Sequence, residues 1–426
     1  MTQTQPGWQA ESPDGWLMVT VDRLPAWMLS AWGATWVATP AVTRIATAGL
    51  ACDRVLVRST DPADSLRELL TAHLPVAAAA GPQAAGPLAA AAARGWKVTV
   101  VTDVPDQFVG LGVEQENLTL VAVPPQPGET TSAADEASAC GRVYAAAEAE
   151  LAGADLLWCH LGSLGLTWDA PQACREVFFD PEDPPPGESA TIPDFTVTAA
   201  TDPDQVAAIR QIFAGELAHW DDWLGRLLAA AGSRWHRFGM LLLGLRGLPL
   251  GLHGRVGVGQ PEPAPYAELT HVPALVIDPA GRQTAQRFGG LLLPADLGAT
   301  VGDLIACSQP AGGAPPSAVT LGQSLERVLA GDADAWRRGG RDRIFSMSAG
   351  GQAVTVAEWA CIREHGGSDR LFVKPDDFFE LSDVADRSHE VTAALADCLG
   401  DAASQAAAAW EKPLPDVLVP QGSADR

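Results

Sequence analysis

Residues Leu241–Gly259, LLLGLRGLPLGLHGRVGVG, take a buried apolar run into a glycine-rich turn. Phe238 to Leu243 reads as a strand buried on both faces, the pattern of a parallel sheet with helices on either side. Open α/β sheets bind ligands beyond the carboxyl ends of their strands, so the turn sits where a site belongs. A glycine-rich loop cradling a phosphate is one reading of it. Few polar groups are presented there, however, and the stretch has the shape of a site without its chemistry.

Short apolar strands recur around it. Trp16 to Val21, Leu50 to Val57, Trp96 to Thr102, Leu118 to Val123, Asp155 to His160 and Ala274 to Ile277 are all strand candidates. Helices separate them. Thr39 and Pro40 start one that runs through Ala48, and Asp61, Pro62 and Asp64 open another. Two short Ala-rich helices lie between Pro75 and Arg94, Ala133 to Ala152 is a solvated outer helix, Asp204 to Ala231 follows an Asp202 cap, and Pro294 to Ile305 is the last. Such alternation predicts an α/β domain.

Ala311 to Ser317, AGGAPPS, is the linker candidate, and the pattern changes beyond it. Asp342 to Met347, Ala353 to Val356, Trp359 to Ile362 and Asp369 to Val373 read as short antiparallel strands before a helix from Ser388 to Leu399. The expected organisation is a flexible N-terminus over 1–15, an α/β domain over 16–310, a C-terminal α+β subdomain over 318–400 and a flexible tail over 401–426.

Composition narrows the partners. Across 426 residues, 28 basic against 52 acidic side chains give a net charge of −24, which repels phosphate backbones and anionic lipid. Nucleic acid and membrane are therefore excluded as expected partners. The sequence opens without a basic segment and apolar core of the secretory type, and the expectation is a soluble, cytoplasmic protein. Seven scattered cysteines without a C-x-x-C pair argue against a disulfide framework or a cysteine zinc site.

Four residues stand where chemistry could be done. Asp22 and Asp103 each close a buried strand, Thr60 precedes a helix N-terminus where a nucleophile is activated, and His253 lies in the opening stretch. Asp22 and Thr60 also have a plain structural reading, as a strand-end group and as part of a helix cap. Gly162-Ser163-Leu164-Gly165 is not a nucleophile elbow, because Leu161 stands where that turn needs glycine. His160 is better read as a hydrogen-bonded strand end than as a ligand.

The order of elements and several local motifs resemble the sulfatases of the alkaline phosphatase superfamily. Residues 17–55, LMVTVDRLPAWMLSAWGATWVATPAVTRIATAGLACDRV, are similar to that family's opening strand, turn and Thr-Pro-Asn-Leu-Asp-Arg-Leu helix. IFAGELAHWDDWLGRLL resembles its long helix, GLRGLPLGLHG the frame Ser-Asp-His-Gly-x-x-Leu-Gly-Glu-His-Gly, and YAELTHVPALVIDP the segment around His-Val-Pro. RLFVKPDDFFELSDVADRSHEV is similar to the closing motif. The resemblance runs from about Trp16 to Leu399. It implies a large mixed, mostly parallel sheet flanked by helices, with a small C-terminal antiparallel sheet and a helix.

It also implies a divalent cation, such as calcium, held by carboxylates at the strand ends, and here the chain departs from the family. Asp22 matches the first metal-binding aspartate, but Arg23 follows where a ligand is usual. Leu245 and Arg246 stand at the positions of a metal-binding aspartate and histidine. The nucleophile motif Cys-x-Pro-Ser-Arg is missing; a two-residue slip leaves Thr60-Asp61-Pro62 in its place. A family lysine is replaced at Asp103, and Gly165 stands where a histidine is usual. Only three lysines occur, and none lies between Lys97 and Lys374.

The resulting expectation is a pseudoenzyme without metal or other cofactor, which binds a protein or a small anionic ligand. Arg23 and Arg246 are the anion-binding candidates, with pairing to Asp22 or Asp103 as the alternative. The rival expectation is a divergent sulfate-ester or phosphate-ester hydrolase or transferase with Thr60 as nucleophile and Asp22, Asp103 and His253 in support.

Overall fold

The computed structural model describes residues 13–73, 86–109, 111, 117–126, 128–306, 322–332, 334, 336, 340–402, 410 and 412–419. The linker candidate Ala311 to Ser317, residues 1–12 and 420–426, and the first of the two Ala-rich helices fall outside them. No described helix is long and apolar enough to cross a membrane.

Fourteen strands are present among the described residues. They are β1 (Gly15–Val21), β2 (Leu50–Leu56), β3 (Val98–Thr102), β4 (Leu118–Ala122), β5 (Leu156–Leu161), β6 (Phe195–Thr196), β7 (Phe238–Gly244), β8 (Arg255–Val256), β9 (His271–Ile277), β10 (Gln286–Leu292), β11 (Arg343–Ser348), β12 (Gly351–Val356), β13 (Trp359–Glu364) and β14 (Asp369–Val373). The helices that concern the site are α1 (Pro40–Ala48), α2 (Pro62–Thr71), α3 (Pro87–Ala93), α4 (Ala139–Glu150), α5 (Gln172–Glu176), α6 (Pro203–Arg234), α7 (Ala267–Thr270), α8 (Pro294–Ala306), α9 (Glu326–Leu329) and α10 (His389–Ala402).

Eight strands form one sheet in the order β10-β2-β9-β7-β1-β5-β3-β4. All its pairings are parallel except those of β9, which returns from the opening stretch antiparallel to both β7 and β2. Alternate side chains divide β1 between two cores. Leu17, Val19 and Val21 face α1, α4 and α6, whereas Trp16 and Met18 face α2, α3 and α8. Burial on both faces explains the near-continuous apolar runs in the sequence.

Register then builds the site. Val21 pairs with Leu161 on one side and Gly244 on the other, so β1, β5 and β7 end in step. Asp22, Gly162 and Leu245 consequently stand side by side along the carboxyl edge.

The four C-terminal strands form an antiparallel sheet in sequence order. Its inner face packs with α10 and the edge of the large sheet, joining Ile344, Val354, Leu371, Leu395 and Leu399 to Leu56 and Leu293. Met347 N–H donates to the Arg58 carbonyl at 2.7 Å, and Ser346 Oγ donates to the Val57 carbonyl at 2.7 Å. The small sheet is thereby docked against the segment that leads from β2 to Thr60.

Two local expectations need correction. The helix placed over Ala133 to Ala152 spans only Ala139–Glu150, and it is no solvated layer, since Cys140, Val143, Tyr144 and Ala147 are buried against α6 and the sheet. Alanine disguises such a face, being small enough to pack and neutral enough to look exposed. Strand β10 is absent from the sequence reading, where Gly289-Gly290 breaks the apolar pattern; a register shift occurs there between Phe288 and Leu291. Thr39 and Pro40 do stand at the N-cap and start of α1, although the Thr39 side chain makes no capping hydrogen bond. Asp221 of α6 accepts from Ala41 N–H at 2.8 Å and Val42 N–H at 2.9 Å instead.

Candidate functional site

The opening stretch keeps its shape through close backbone contacts. Gly247 N–H donates to the Leu269 carbonyl at 2.8 Å, and a Cβ at Gly247 would lie 2.0 Å from the Glu268 carbonyl oxygen. Only glycine fits there. Glu268 is buried and accepts from Leu250 N–H at 3.3 Å, which fixes the far side of the turn. Burial raises Glu268 to about 8, against the opposing backbone N–H groups.

Leu245 does not face the edge. It is fully buried in the core beneath the sheet, with Leu241 and Leu243. Arg246 points the other way and finds Asp22: its Nε donates to Asp22 Oδ1 at 2.7 Å and its Nη2 to Asp22 Oδ2 at 2.9 Å. The third nitrogen, Nη1, donates to the Thr60 carbonyl at 2.7 Å. All three guanidinium nitrogens thus donate within the chain, and Arg246 serves as the internal counter-ion of Asp22, with three of its five N–H groups used in these bonds.

Arg23 completes the group from a left-handed backbone conformation, φ 59°. Its N–H donates to Asp22 Oδ1 at 3.0 Å, and its Nη1 makes a long contact of 3.4 Å to the Gly247 carbonyl. Its Nε is buried without a partner. Burial and the neighbouring Arg246 charge lower Arg23 to about 10, with Asp22 and Glu262 opposing. Burial alone would raise Asp22, but the charge and hydrogen bonds of Arg246, with Arg23 and His160 nearby, outweigh it and hold the carboxyl below its usual range.

Gly165 leaves room beside this pair. A Cβ at that position would come within 3.1 Å of Asp22 Oδ2 and 3.0 Å of Arg23 Cγ. The histidine implied there by the sulfatase resemblance would have its Cβ in tight contact with both side chains, which would have to give by a few tenths of an ångström.

Thr60 joins the group through main chain and side chain. Its hydroxyl donates to Glu262 Oε2 at 2.9 Å, and the same oxygen accepts from Ala349 N–H at 3.1 Å. Glu262 is therefore a member of the site that sequence reasoning missed. It lies in a proline-rich loop with no motif to mark it, and only the fold brings it across from the small sheet's 349 turn.

Asp103 and His160 line the edge further along. His160 is fully buried, its Nδ1 is 2.8 Å from the Thr20 hydroxyl, and that hydroxyl accepts from Trp158 Nε1 at 2.8 Å. Burial lowers its pKa to about 4, with Asp22 opposing. Asp103 accepts from Gly162 N–H at 2.7 Å and is raised by burial, against the Gly162 and Ser163 donors. It stands two strands from β1, roughly 10 Å by strand spacing, and no contact joins it to either arginine. His253 is not brought to Asp22 either. Its Nε2 meets the Phe379 carbonyl at 3.0 Å and its ring stacks on Tyr266 at 3.7 Å, which fastens the turn to the C-terminal segment.

A calcium ion takes six to eight oxygen ligands. Here one carboxylate stands at the centre, both its oxygens are occupied by a guanidinium, and a second arginine is buried beside it. Among the described residues no three His, Cys, Asp or Glu side chains are grouped to hold a metal. The residues present do not fit the divalent cation that the resemblance implies.

No protein-family model and no curated protein matches this sequence. Solved structures do. The chain is similar to the phosphonate monoester hydrolase of Agrobacterium radiobacter, with TM-score 0.63 at 15% identity over 92% of this chain and 96% of that one. It is similar to a 2-O GAG sulfatase, with TM-score 0.68 at 15% identity over 93% of each chain. A phosphonate monoester hydrolase from Silicibacter pomeroyi gives TM-score 0.67 at 14% identity over 92% of this chain and 95% of that one. The chain therefore has the α/β fold shared by sulfatases and phosphonate monoester hydrolases, with a large mixed sheet and a small antiparallel one.

Proposed function

We propose that this chain is a sulfatase-fold protein without hydrolase activity, in which the Arg246 guanidinium takes the place of the metal ion and the retained scaffold serves a binding or regulatory role. The bidentate pair of Arg246 with Asp22 carries this reading. A metal in such a site polarises an ester and depresses the pKa of a nucleophile. An arginine with every nitrogen committed supplies a fixed positive charge but no open coordination position. The buried Arg23 opposes a second cation.

One observation favours the hydrolase alternative. Thr60 Oγ1 lies 2.9 Å from the Glu262 carboxylate, the spacing of a hydroxyl nucleophile and its base, and Arg246 holds the adjacent carbonyl. The Ala349 N–H that shares the same oxygen gives Glu262 a structural task as well. Turnover of aryl sulfates, aryl phosphates and phosphonate monoesters separates the two. The pseudoenzyme reading predicts none above buffer, and turnover abolished by Thr60→Ala establishes the other.

A further inference from the structure

A second cavity lies away from the Arg246 group. It encloses about 390 Å³ between β2, β9 and β10 of the large sheet and the β14 end of the small one, and none of Asp22, Arg23, Thr60 or Arg246 lines it. Its size is that of a site for a small organic molecule. Trp32, Leu56 and Phe378 supply apolar wall, and charged side chains supply the rest.

Two of its cations are already neutralised. Arg287 pairs with Asp53, and Lys374 pairs with Glu380 at 2.9 Å. Arg54 is held differently: its Nη1 donates to the Ala357 carbonyl and its Nη2 to the Val356 carbonyl, each at 2.8 Å, and no carboxylate among the described residues forms an ion pair with it. Neutral carbonyls orient the guanidinium without cancelling its charge. Partial burial lowers Arg54 to about 10, with no neighbouring carboxylate opposing it.

Two more polar groups belong to residues of the same walls. The Trp32 indole Nε1 is buried without a hydrogen-bond partner. His271 donates Nε2–H to the Asp53 carbonyl at 2.7 Å, which leaves Nδ1 as an acceptor. One positive charge without a counter-ion, one buried N–H without a partner and two aromatic side chains on the walls describe the complement of a particular ligand class.

We infer that this cleft binds a small aromatic monoanion, whose acidic oxygen group meets Arg54 and the Trp32 N–H and whose ring packs against Trp32 and Phe378. The site is separate from the Arg246 group, and its occupancy does not depend on whether esters are turned over there. Sulfonate, sulfate and carboxylate heads share the chemistry that Arg54 recognises.

Isothermal titration of the full-length protein tests this with naphthalene-2-sulfonate, naphthalene-2-carboxylate, uncharged 2-naphthalenemethanol and inorganic sulfate. At least one of the two aromatic anions binds, while the alcohol and inorganic sulfate bind about tenfold more weakly or not at all. Arg54→Met weakens the anion by about tenfold or more, and so does Trp32→Phe, which keeps an aromatic ring but removes the donor. Arg54 also ties β2 to the end of β12, so the Trp32→Phe variant keeps the test valid where Arg54→Met unfolds. Equal binding of the alcohol, unchanged affinity in Trp32→Phe, or no heat from either aromatic anion at millimolar concentration overturns the inference.

Discussion

Arg246 and Asp22 are 224 residues apart in sequence and meet through two hydrogen bonds of 2.7 and 2.9 Å at the carboxyl edge of adjacent strands. Both are largely buried, with side-chain exposures of 18% and 4%. Removing one partner of such a pair strands a charge, at a cost of about 3–5 kcal/mol. Arg246→Met and Asp22→Leu are each expected to lose that much in urea unfolding. The double variant is expected to lose less than the sum by about 2 kcal/mol or more, because neither charge is left behind. Additive losses would show that the two residues act independently.

His160 makes the fold acid-sensitive. Its pKa is depressed to about 4 by burial, against an ordinary 6.5. Between those values the unfolded chain binds a proton that the folded chain refuses, so its contribution is complete above pH 6.5 and is lost as pH falls toward 4. The amount is on the order of 3 kcal/mol. His160→Asn is expected to flatten the stability profile in that window, measured by urea midpoints at successive pH. A profile parallel to the wild type would contradict the assignment.

Glu268 works in the opposite direction. Buried against the turn at Leu250, with its pKa raised to about 8 from 4.5, it keeps its proton in the folded state at neutral pH. Its contribution is complete below pH 4.5 and is lost as pH rises through 8. Glu268→Gln retains an acceptor for Leu250 N–H and carries no charge. It is expected to gain roughly 2–4 kcal/mol over the wild type at pH 9 and nothing at pH 4. Thermal unfolding at the two pH values checks this, and an equal effect at both would refute it.

The sequence showed the fold well because strands such as Trp16 to Val21 and Leu241 to Leu243 are buried on both faces and carry unbroken apolar runs. The helix starts at Asp61-Pro62 and Asp202-Pro203 were equally plain, since an aspartate cap and a proline at the first helical position are local signals. Strand β10 was not visible, because paired glycines hide its period. At the site, Asp22 was legible from its place at a strand end, and its pairing with Arg246 was one of two alternatives. Glu262 and the tight approach of Gly165 to Asp22 and Arg23 were invisible, since both depend on distances between segments far apart in the chain. His253 was misleading: it shares a motif with the frame but spends its ring on Tyr266 and Phe379.

The Arg246 guanidinium is proposed to stand where the sulfatase resemblance implies a metal ion. Elemental analysis of the purified protein, after equilibration with calcium, magnesium, manganese and zinc and removal of free ion, tests this most directly. The account predicts bound metal far below one ion per chain, unchanged in Asp22→Ala. One ion per chain that disappears in Asp22→Ala would contradict it.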